Sequence, residues 1–386
     1  MAKAIILTEN NYPCGDAGAI RQHATAKIFK ELGYAVTVLG YGKSTNNKLL
    51  DFDGVYYVSF RPNTDNKIIR ALFRATVSWR MTRALKKSYR DADVILLADV
   101  HPKTFNKVSN LYKHSNNILI HDSVEWFSPE QFKNGEKSLS YKNRDRINTA
   151  LITKRWRVIA ISTFLEEHFS KICKTERIPV IMDVSNIEYN PKTSASNSKK
   201  VFSYVGSPGK KDYLKNIIEG FELLSVEIRE NIIFNVVGVS YQQLIDTCEV
   251  SSKTLNELKG CINIFGRLSH DEAIKIVRES DYTLLLRDET LRYSKAGFPT
   301  KIVESLASGT PPICNFSSDL SMYLVDGKNS IIANGHSSHD VKNALERAIE
   351  STRDESLKMR INARHTAEKC FDYTKYFAQM LNLIKP

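Results

Sequence analysis

The chain is predicted to be an α/β protein made of two doubly wound, parallel-sheet domains in tandem. Three observations lead there. Short strand-like runs alternate with helical ones, and the alternation occurs twice. The two series are separated by a polar stretch, Ser185 to Lys200, rich in Ser and Asn, which reads as a linker. At 386 residues, the chain is long enough for two separate cores.

The elements follow in order. Ala4–Leu7 is a first strand, followed by a helix from about Ala17 to Leu32 and the strand Ala35–Leu39. Gly54–Phe60, Val94–Ala98, Ile118–His121 and Val158–Ile161 are further strands. A helix from about Lys67 to Tyr89 has Asp65 as its expected cap, and Thr163 with Glu166 forms an expected capping box. In the second half, the strands are Phe202–Val205, Ile232–Val237, Ile262–Phe265, Thr283–Leu286 and Pro312–Asn315. A helix is expected near Lys215–Leu224, and two more are announced by the boxes Ser240/Gln243 and Ser269/Glu272. The tail from about His339 to Ile384 is helical. The expected domains are residues 1–184 with about 371–386, and residues 201–370, joined by 185–200. A ligand would sit at the carboxyl ends of the strands, between the two sheets.

The segment Ala296-Gly-Phe-Pro-Thr-Lys-Ile-Val-Glu304-Ser-Leu-Ala-Ser-Gly309-Thr-Pro-Pro carries the most chemistry. It reads as a loop that becomes a short helix. Pro299 suits the first helical position and Gly309 the left-handed stop. The amides of Gly297, Phe298 and Thr300 are expected to be exposed at the positive end of the helix, where an anion binds. Thr300 and Glu304 are four residues apart and share a face. An acceptor-only carboxylate can take both hydroxyls of a diol. Amides for phosphate and a carboxylate for a diol suit a sugar nucleotide. The bland alternative for Glu304 is an ion pair with Lys301.

Composition narrows the partners. The net charge of +12 is uneven: residues 1–190 carry 29 Lys and Arg against 19 Asp and Glu, the remainder 26 against 24. A polyanionic partner is therefore expected for the first half. The segment Lys67–Arg90 holds eight basic residues and no acidic one, interleaved with Ile69, Leu72, Phe73, Trp79, Met81 and Leu85. Such a helix suits an anionic membrane surface, or packs its apolar side on a sheet with its basic side in water. The six cysteines have no metal-ligand spacing and read as reduced thiols. The start reads as a strand rather than a signal peptide, and no run is long enough to span a bilayer. The expected location is cytoplasmic, with peripheral attachment to the inner membrane face. No nucleic-acid-binding signature accompanies the basic charge, so nucleic acid is not an expected partner. Asp51/Asp53 and Asp91/Asp93 have a spacing used for metals, but no metal or other cofactor is expected.

Taken together, the tandem α/β halves, the Gly-rich first loop, the polar linker and the Gly-Phe-Pro…Glu…Gly-Thr-Pro motif resemble the GT-B fold glycosyltransferases of the retaining family 4 type, found in polysaccharide biosynthesis. The resemblance covers nearly the whole chain. It implies two Rossmann-like domains facing a cleft, an N-terminal domain for the acceptor and a C-terminal domain for the sugar nucleotide. The last helix, about Tyr373–Ile384, would cross back to the N-terminal domain. Asn11 to Arg21 is similar to the family's first loop beneath the donor phosphates, with Gly15 and Gly18. Tyr204-Val-Gly-Ser-Pro-Gly-Lys-Lys-Asp212 looks like the first C-domain loop, with Gly206 and a lysine at the diphosphate: Lys211, or Lys210.

Two departures stand out. Ala296 replaces the first glutamate of the family's E-x7-E signature, and Ser207 stands where an arginine is usual. Lys210, Lys211, Arg267 or Arg287 could supply the missing charge. The resemblance implies donor binding by Gly297, Phe298, Pro299, Thr300, Lys301 and Glu304, and catalytic roles for His121 and Lys211. His121 has a structural alternative, hydrogen-bonded to Asp122 or Glu125. Asp16, Arg21, Asp122 and Glu125 are the candidate acceptor contacts. The function implied is transfer of a hexose from a nucleoside-diphosphate sugar, UDP- rather than GDP-linked, to a glycan or lipid-linked glycan with retention. The alternative is a non-catalytic binding subunit of the same fold.

Overall fold

A computed structural model of the chain describes residues 1–13, 15–46, 48–189, 199–207 and 211–385. The chain divides into two compact units. The first comprises Met1–Asp183, Ala296–Phe298 and the segment from Asp372 onward; the second comprises Val184–Lys295 and Pro299–Phe371.

The first unit is built on eight strands: β1 (Lys3–Thr8), β2 (Ala35–Lys43), β3 (Leu50–Phe52), β4 (Val55–Arg61), β5 (Val94–Ala98), β6 (Ile118–Ser123), β7 (Trp156–Ala160) and β8 (Lys174–Arg177). Their order is β3-β4-β2-β1-β5-β6-β7-β8, and only β3 runs antiparallel to its neighbour. A parallel sheet is covered on both faces, which is why Val94-Ile-Leu-Leu-Ala98 is apolar throughout and buried along its length. Helix α1 (Ala17–Glu31) packs Ala24, Ile28 and Phe29 into the core with Ile6, Val38 and Leu96. Burying each of the larger of these side chains contributes roughly 1.5–3 kcal/mol. Helix α2 (Lys67–Ser88) follows β4, and α3 (Pro102–Leu111) follows β5. The C-terminal helix Phe377–Ile384 adds Met380, Leu383 and Ile384 to this same core. The Tyr373 amide donates to the Met182 carbonyl at 3.1 Å.

The second unit holds β9 (Lys200–Val205), β10 (Ile232–Val237), β11 (Ile262–Gly266), β12 (Tyr282–Leu285), β13 (Pro312–Cys314) and β14 (Ile331–Ile332). The order is β11-β10-β9-β12-β13-β14, and every pairing is parallel. Phe202, Phe221 and Phe234 fill one face, with Phe221 stacked on Phe234 at 4.1 Å between ring centroids. In each sheet the strand order reverses beside the first strand, between β1 and β5 and between β9 and β12. That reversal opens a crevice at the carboxyl ends of the strands.

Several local expectations need correction. The cap of α2 is Asn66, not Asp65: its Oδ1 accepts from the amides of Ile68 and Ile69 at 2.9 and 3.2 Å. Ser162, not Thr163, caps the helix Thr163–Phe169; the Thr163 hydroxyl instead accepts from Arg177 Nη1 at 2.6 Å. Pro299 lies one place before the first helical residue, Thr300. The boxes at Ser240/Gln243 and Ser269/Glu272 form as expected. Gly309 takes the left-handed conformation at φ 68°.

Candidate functional site

Each unit carries a polar constellation at its switch point. In the second unit, the glycine turns after β9 and β10 press together. Gly206 has φ 131° and Gly238 has φ 95°. A Cβ on Gly238 would lie 2.7 Å from the backbone of Gly206, so only glycine allows this approach. A Cβ on Gly206 would in turn meet Lys301, whose stem lies against the turn.

Lys301, on the helix Thr300–Ala307, ends in a buried cluster. Its ammonium donates to the Tyr204 hydroxyl at 2.9 Å and to Asp212 Oδ2, and lies 4.5 Å from the centre of the Tyr204 ring. The Tyr204 hydroxyl donates to the same carboxylate at 2.9 Å, and Arg287 Nε reaches Asp212 Oδ1 at 3.3 Å. The Asp212 side chain is 3 % exposed. Burial alone would raise its pKa, but Lys301 and Arg287 outweigh burial and hold it below the usual carboxylate range. Burial pushes the Lys301 ammonium down, and Asp212 opposes that shift. Arg287 is fixed by Asn315, whose side chain bonds both its amide and its carbonyl, at 3.0 and 2.7 Å. Two cations and one carboxylate leave one positive charge beside the glycine turn.

Glu304 lies one turn beyond Lys301. It does not pair with Lys301, which is committed to Asp212. Among the described residues, no hydrogen bond reaches the Glu304 carboxylate. Burial raises its pKa, with His270 and Lys301 opposing. A half-buried carboxylate with unfilled acceptor sites is equipped to receive hydroxyl donors from a ligand. The helix carrying it has Pro299 at its cap position, which supplies no side-chain oxygen to the first amides.

The rest of the motif differs from expectation. Of the three residues whose amides were expected to be exposed, Gly297 and Phe298 are buried and Thr300 is half-buried; Pro299 is buried as well. Ala296 is fully buried. Lys211 is half-buried, with its ammonium 6.0 Å from the centre of the Tyr293 ring. Lys210 lies outside the described residues. Arg267 follows β11 and is exposed, without an ion-pair partner among the described residues.

In the first unit, a cavity of about 630 Å³ opens where β1, β5 and β6 end. Glu9 and Asn10 line it just after β1, Asp99 just after β5, and His121 and Asp122 from β6 itself. Gly18 and Glu125 also line it, as do Arg74 and Ser78 of α2. Glu9 Oε1 accepts from the His101 amide at 2.8 Å, and burial raises the pKa of Glu9. The Arg144 guanidinium lies over the Phe127 ring at 4.5 Å and 3.5 Å from Asp99. Carboxylates and guanidinium groups are suited to hydrogen-bonding the hydroxyls of a polyhydroxylated ligand.

His121 is buried between Phe105 and Phe169, and its Nδ1 faces the Leu97 carbonyl at 3.4 Å. Neither Asp122 nor Glu125 is its hydrogen-bond partner. Burial lowers its pKa to about 4, so the ring is neutral at physiological pH.

Three of the four candidate acceptor contacts have partners within the chain. Arg21 donates through Nε and Nη2 to both oxygens of Asp122, at 3.0 and 2.8 Å, and its remaining donors go to the carbonyls of Ile178 and Pro179. Gln22 completes the Asp122 shell at 2.9 Å. With side chains 5 % and 0 % exposed, the pair braces β6 against α1. Asp16 caps α1 through the Ala19 amide and holds the Asn11 amide, both at 2.8 Å. Gly15 shapes the turn before that cap. Glu125 stays at the cavity wall. Glu9, Asn10 and Arg144 stand in no recognisable motif, and Asp212, though it ends the Tyr204–Asp212 loop, has Arg287 and Lys301 as partners remote in sequence.

Among the described residues, no group of three or more His, Cys, Asp or Glu could hold a metal ion. Asp53 is bonded to Lys27 and His23, and Asp91 to Lys3. Among the same residues, no helix is long and apolar enough to cross a membrane.

Two parallel-sheet units with their polar groups at the switch points define the class: a GT-B glycosyltransferase fold. Residues 186–366 match the family model for glycosyl transferases group 1. Similar solved structures include a sucrose-phosphate synthase from Thermosynechococcus elongatus, with 14 % identity, coverage of 99 % of this chain and 98 % of that one, and a TM-score of 0.73. HepE of Anabaena in complex with UDP-glucose shares 15 % identity over 99 % of this chain and 100 % of the other, at a TM-score of 0.70. A glycosyltransferase from Rickettsia africae shares 17 % identity over 100 % and 98 %, at 0.68. At these identities, the likeness is one of fold. No curated protein matches the chain.

Proposed function

We propose that the chain transfers a hexose from a nucleoside-diphosphate sugar to a glycan or lipid-linked glycan, with retention at the anomeric carbon. The observation that carries this is Glu304, a half-buried carboxylate that no hydrogen bond reaches among the described residues. Glu304 would take the two ribose hydroxyls. Lys211 and Arg267 would meet the diphosphate, and the cluster of Lys301, Arg287 and Asp212 adds a net positive charge nearby. Fixed charge of this kind stabilises the departing diphosphate without reorganisation in the transition state. A UDP-sugar is the favoured donor, because a structural neighbour, HepE, binds UDP-glucose. Retention is supported by the resemblance alone. The departing phosphate oxygen would itself take the acceptor proton, so neither a metal nor a pair of glycosidase-like carboxylates is required.

The acceptor would enter the 630 Å³ cavity, where Glu9, Glu125 and Arg144 can meet hydroxyls. A lipid-linked acceptor suits α2, which walls that cavity through Arg74 and Ser78 while exposing apolar side chains elsewhere. Attachment to an inner membrane face and a place in polysaccharide assembly go with this reading.

Calorimetric titration with UDP, UDP-glucose, GDP and GDP-mannose tests the proposal. UDP compounds should bind, and Glu304→Ala should weaken them at least tenfold. Unchanged affinity in Glu304→Ala would overturn the donor site. Slow hydrolysis of the bound sugar nucleotide without acceptor is expected of a transferase; its absence in a chain that binds donor would favour a non-catalytic subunit.

A further inference from the structure

The second half of α2 is seated by Val77, Met81 and Leu85, which are buried. Its first half is not seated in this way: none of the residues from Lys67 to Thr76 is buried. A hollow of about 350 Å³ opens at that end, lined by Lys43 of β2, Arg61 of β4, Arg70 of α2 and the residues Asn63, Thr64 and Asp65 between β4 and α2. Lys43 and Arg61 are register partners at the ends of their strands. Arg70 and Arg74 are one helical turn apart and share the side of α2 that carries Val77 and Met81. The inward side of a helix ordinarily holds apolar residues. Here it holds two guanidinium groups, and among the described residues Lys43, Arg61, Arg70 and Arg74 form no ion pair. Three cations and the carboxylate of Asp65 leave the hollow with two positive charges. The first amides of α2 are occupied by Asn66, so a bound anion would be met by side-chain charge and not by the helix end.

The hollow adjoins the 630 Å³ cavity through Tyr41, a buried residue that touches the lining of both. The Tyr41 amide donates to the Asn10 carbonyl at 3.1 Å, and its hydroxyl donates to the Arg70 carbonyl at 3.4 Å. The Arg74 guanidinium lies 5.1 Å from the centre of the Tyr41 ring. Asn10 and Arg74 line the larger cavity, and Arg70 lines the hollow. Arg61 is tied to the same loop, donating to Asn11 Oδ1 at 3.2 Å. From Arg70 to Arg74 the helix rises about 6 Å, a step comparable to the length of one sugar ring. A ligand that fills the larger cavity and extends by one such step along α2 reaches the cations of the hollow.

We propose that the hollow is a phosphate subsite for the acceptor: a phosphate group sits among Lys43, Arg61 and Arg70 while the sugar attached to it lies in the larger cavity. The two net charges match a phosphate monoester dianion or a diphosphate diester, whereas a single carboxylate would leave one unmatched. Guanidinium groups pair with phosphate oxygens through parallel hydrogen bonds, which suits Arg61 and Arg70. The proposal rests on the reading of the larger cavity as the acceptor site, and it narrows the acceptor to a phosphate-bearing sugar.

The test is calorimetric titration of the full chain, without donor, with inorganic phosphate, glucose 1-phosphate, farnesyl-diphosphate-linked glucose and methyl glucoside. The two phosphate-bearing sugars should bind at least about tenfold more tightly than methyl glucoside, and salt should narrow that gap. Arg61→Gln/Arg70→Gln should weaken inorganic phosphate and both phosphate-bearing sugars by about tenfold or more. Arg144→Ala, in the larger cavity, should weaken the two sugars and leave inorganic phosphate unchanged. Tighter binding of glucose 1-phosphate supports a soluble sugar phosphate as acceptor, and tighter binding of the farnesyl compound supports a lipid-linked one. Unfolding temperatures matching the parent would show that the variants keep the fold; Arg70→Gln alone and the salt titration of the parent give the same information if the double variant does not fold. Phosphate-bearing sugars that bind no better than methyl glucoside, or unchanged binding in a folded Arg61→Gln/Arg70→Gln chain, would overturn the proposal. Sugars unaffected by Arg144→Ala would separate the hollow from the cavity and overturn it as well. Failure of UDP to bind would count against the transfer reading alone, because none of these titrations contains a donor.

Discussion

Lys301 and Asp212, 89 residues apart, are joined by a hydrogen-bonded ion pair that closes on the Tyr204 hydroxyl. With Arg287 on the other carboxylate oxygen, Asp212 becomes the anchor of two cations. Its side chain is nearly inaccessible, so its role is to position rather than to bind ligand.

Asp212→Ala should therefore destabilise the chain by about 3–5 kcal/mol, because two cations lose their buried partner. Asp212→Asn, which keeps the shape and one acceptor oxygen, should lose less. Thermal unfolding of the two variants beside the parent measures the difference; equal unfolding temperatures for all three would refute the anchoring role.

Glu304 should show a trade between stability and binding. Burial raises its folded pKa. A group raised in this way contributes stability below its unfolded pKa and loses it as pH rises through the folded value. At neutral pH the charged form is thus a net burden, and Glu304→Gln should raise the unfolding temperature by roughly 1–3 °C. That gain should vanish in acid. The same variant should bind UDP at least tenfold more weakly. In the parent chain, UDP affinity should decline on acidification at a higher pH than for an ordinary carboxylate, a profile readily followed by titration calorimetry.

Arg21 and Asp122 make a second buried pair, and here geometry decides. Arg21→Ala leaves the Asp122 carboxylate uncompensated and should cost about 3–5 kcal/mol. Arg21→Lys should not restore the loss, since a lysine cannot reproduce the bidentate contact while also serving two carbonyls. Chemical denaturation reports both; full recovery with lysine would show that charge alone matters.

His121 gives a prediction on the acid side. Its folded pKa is about 4 against an ordinary 6.5. The unfolded chain takes up this proton first, so stability falls as pH drops from about 6.5 toward about 4. His121→Gln should flatten that part of the stability profile. Transfer activity should show no titration of His121 near neutrality; a pH profile of kcat/KM that shifts on replacing it would contradict a neutral, buried ring.

Local signals carried much of the architecture. Strands such as Val94–Ala98 are short continuous apolar runs because parallel sheets are covered on both faces, and that pattern survives in isolation. The boxes at Ser240 and Ser269 were legible because capping is settled within four residues. Where two polar neighbours compete for a cap, as Asp65 and Asn66 do before α2, composition does not choose between them. The path of the preceding turn does.

Glu304 was legible as a candidate ligand carboxylate because the spacing of one helix fixes its relation to Thr300 and to the helix terminus. The fates of Lys301, Arg21 and Asp122 were not, because their partners are supplied by distant strands. A basic or acidic side chain on its own is an offer of charge. Whether that charge faces a ligand or is neutralised inside depends on which strand ends the sheet order brings together. The sequence by itself therefore determined the α/β class, most elements and the helix that carries Glu304. Only the tertiary structure decided which charges remain available, because burial and pairing are properties of neighbours in space, and the parallel crossovers place those neighbours far apart in the chain.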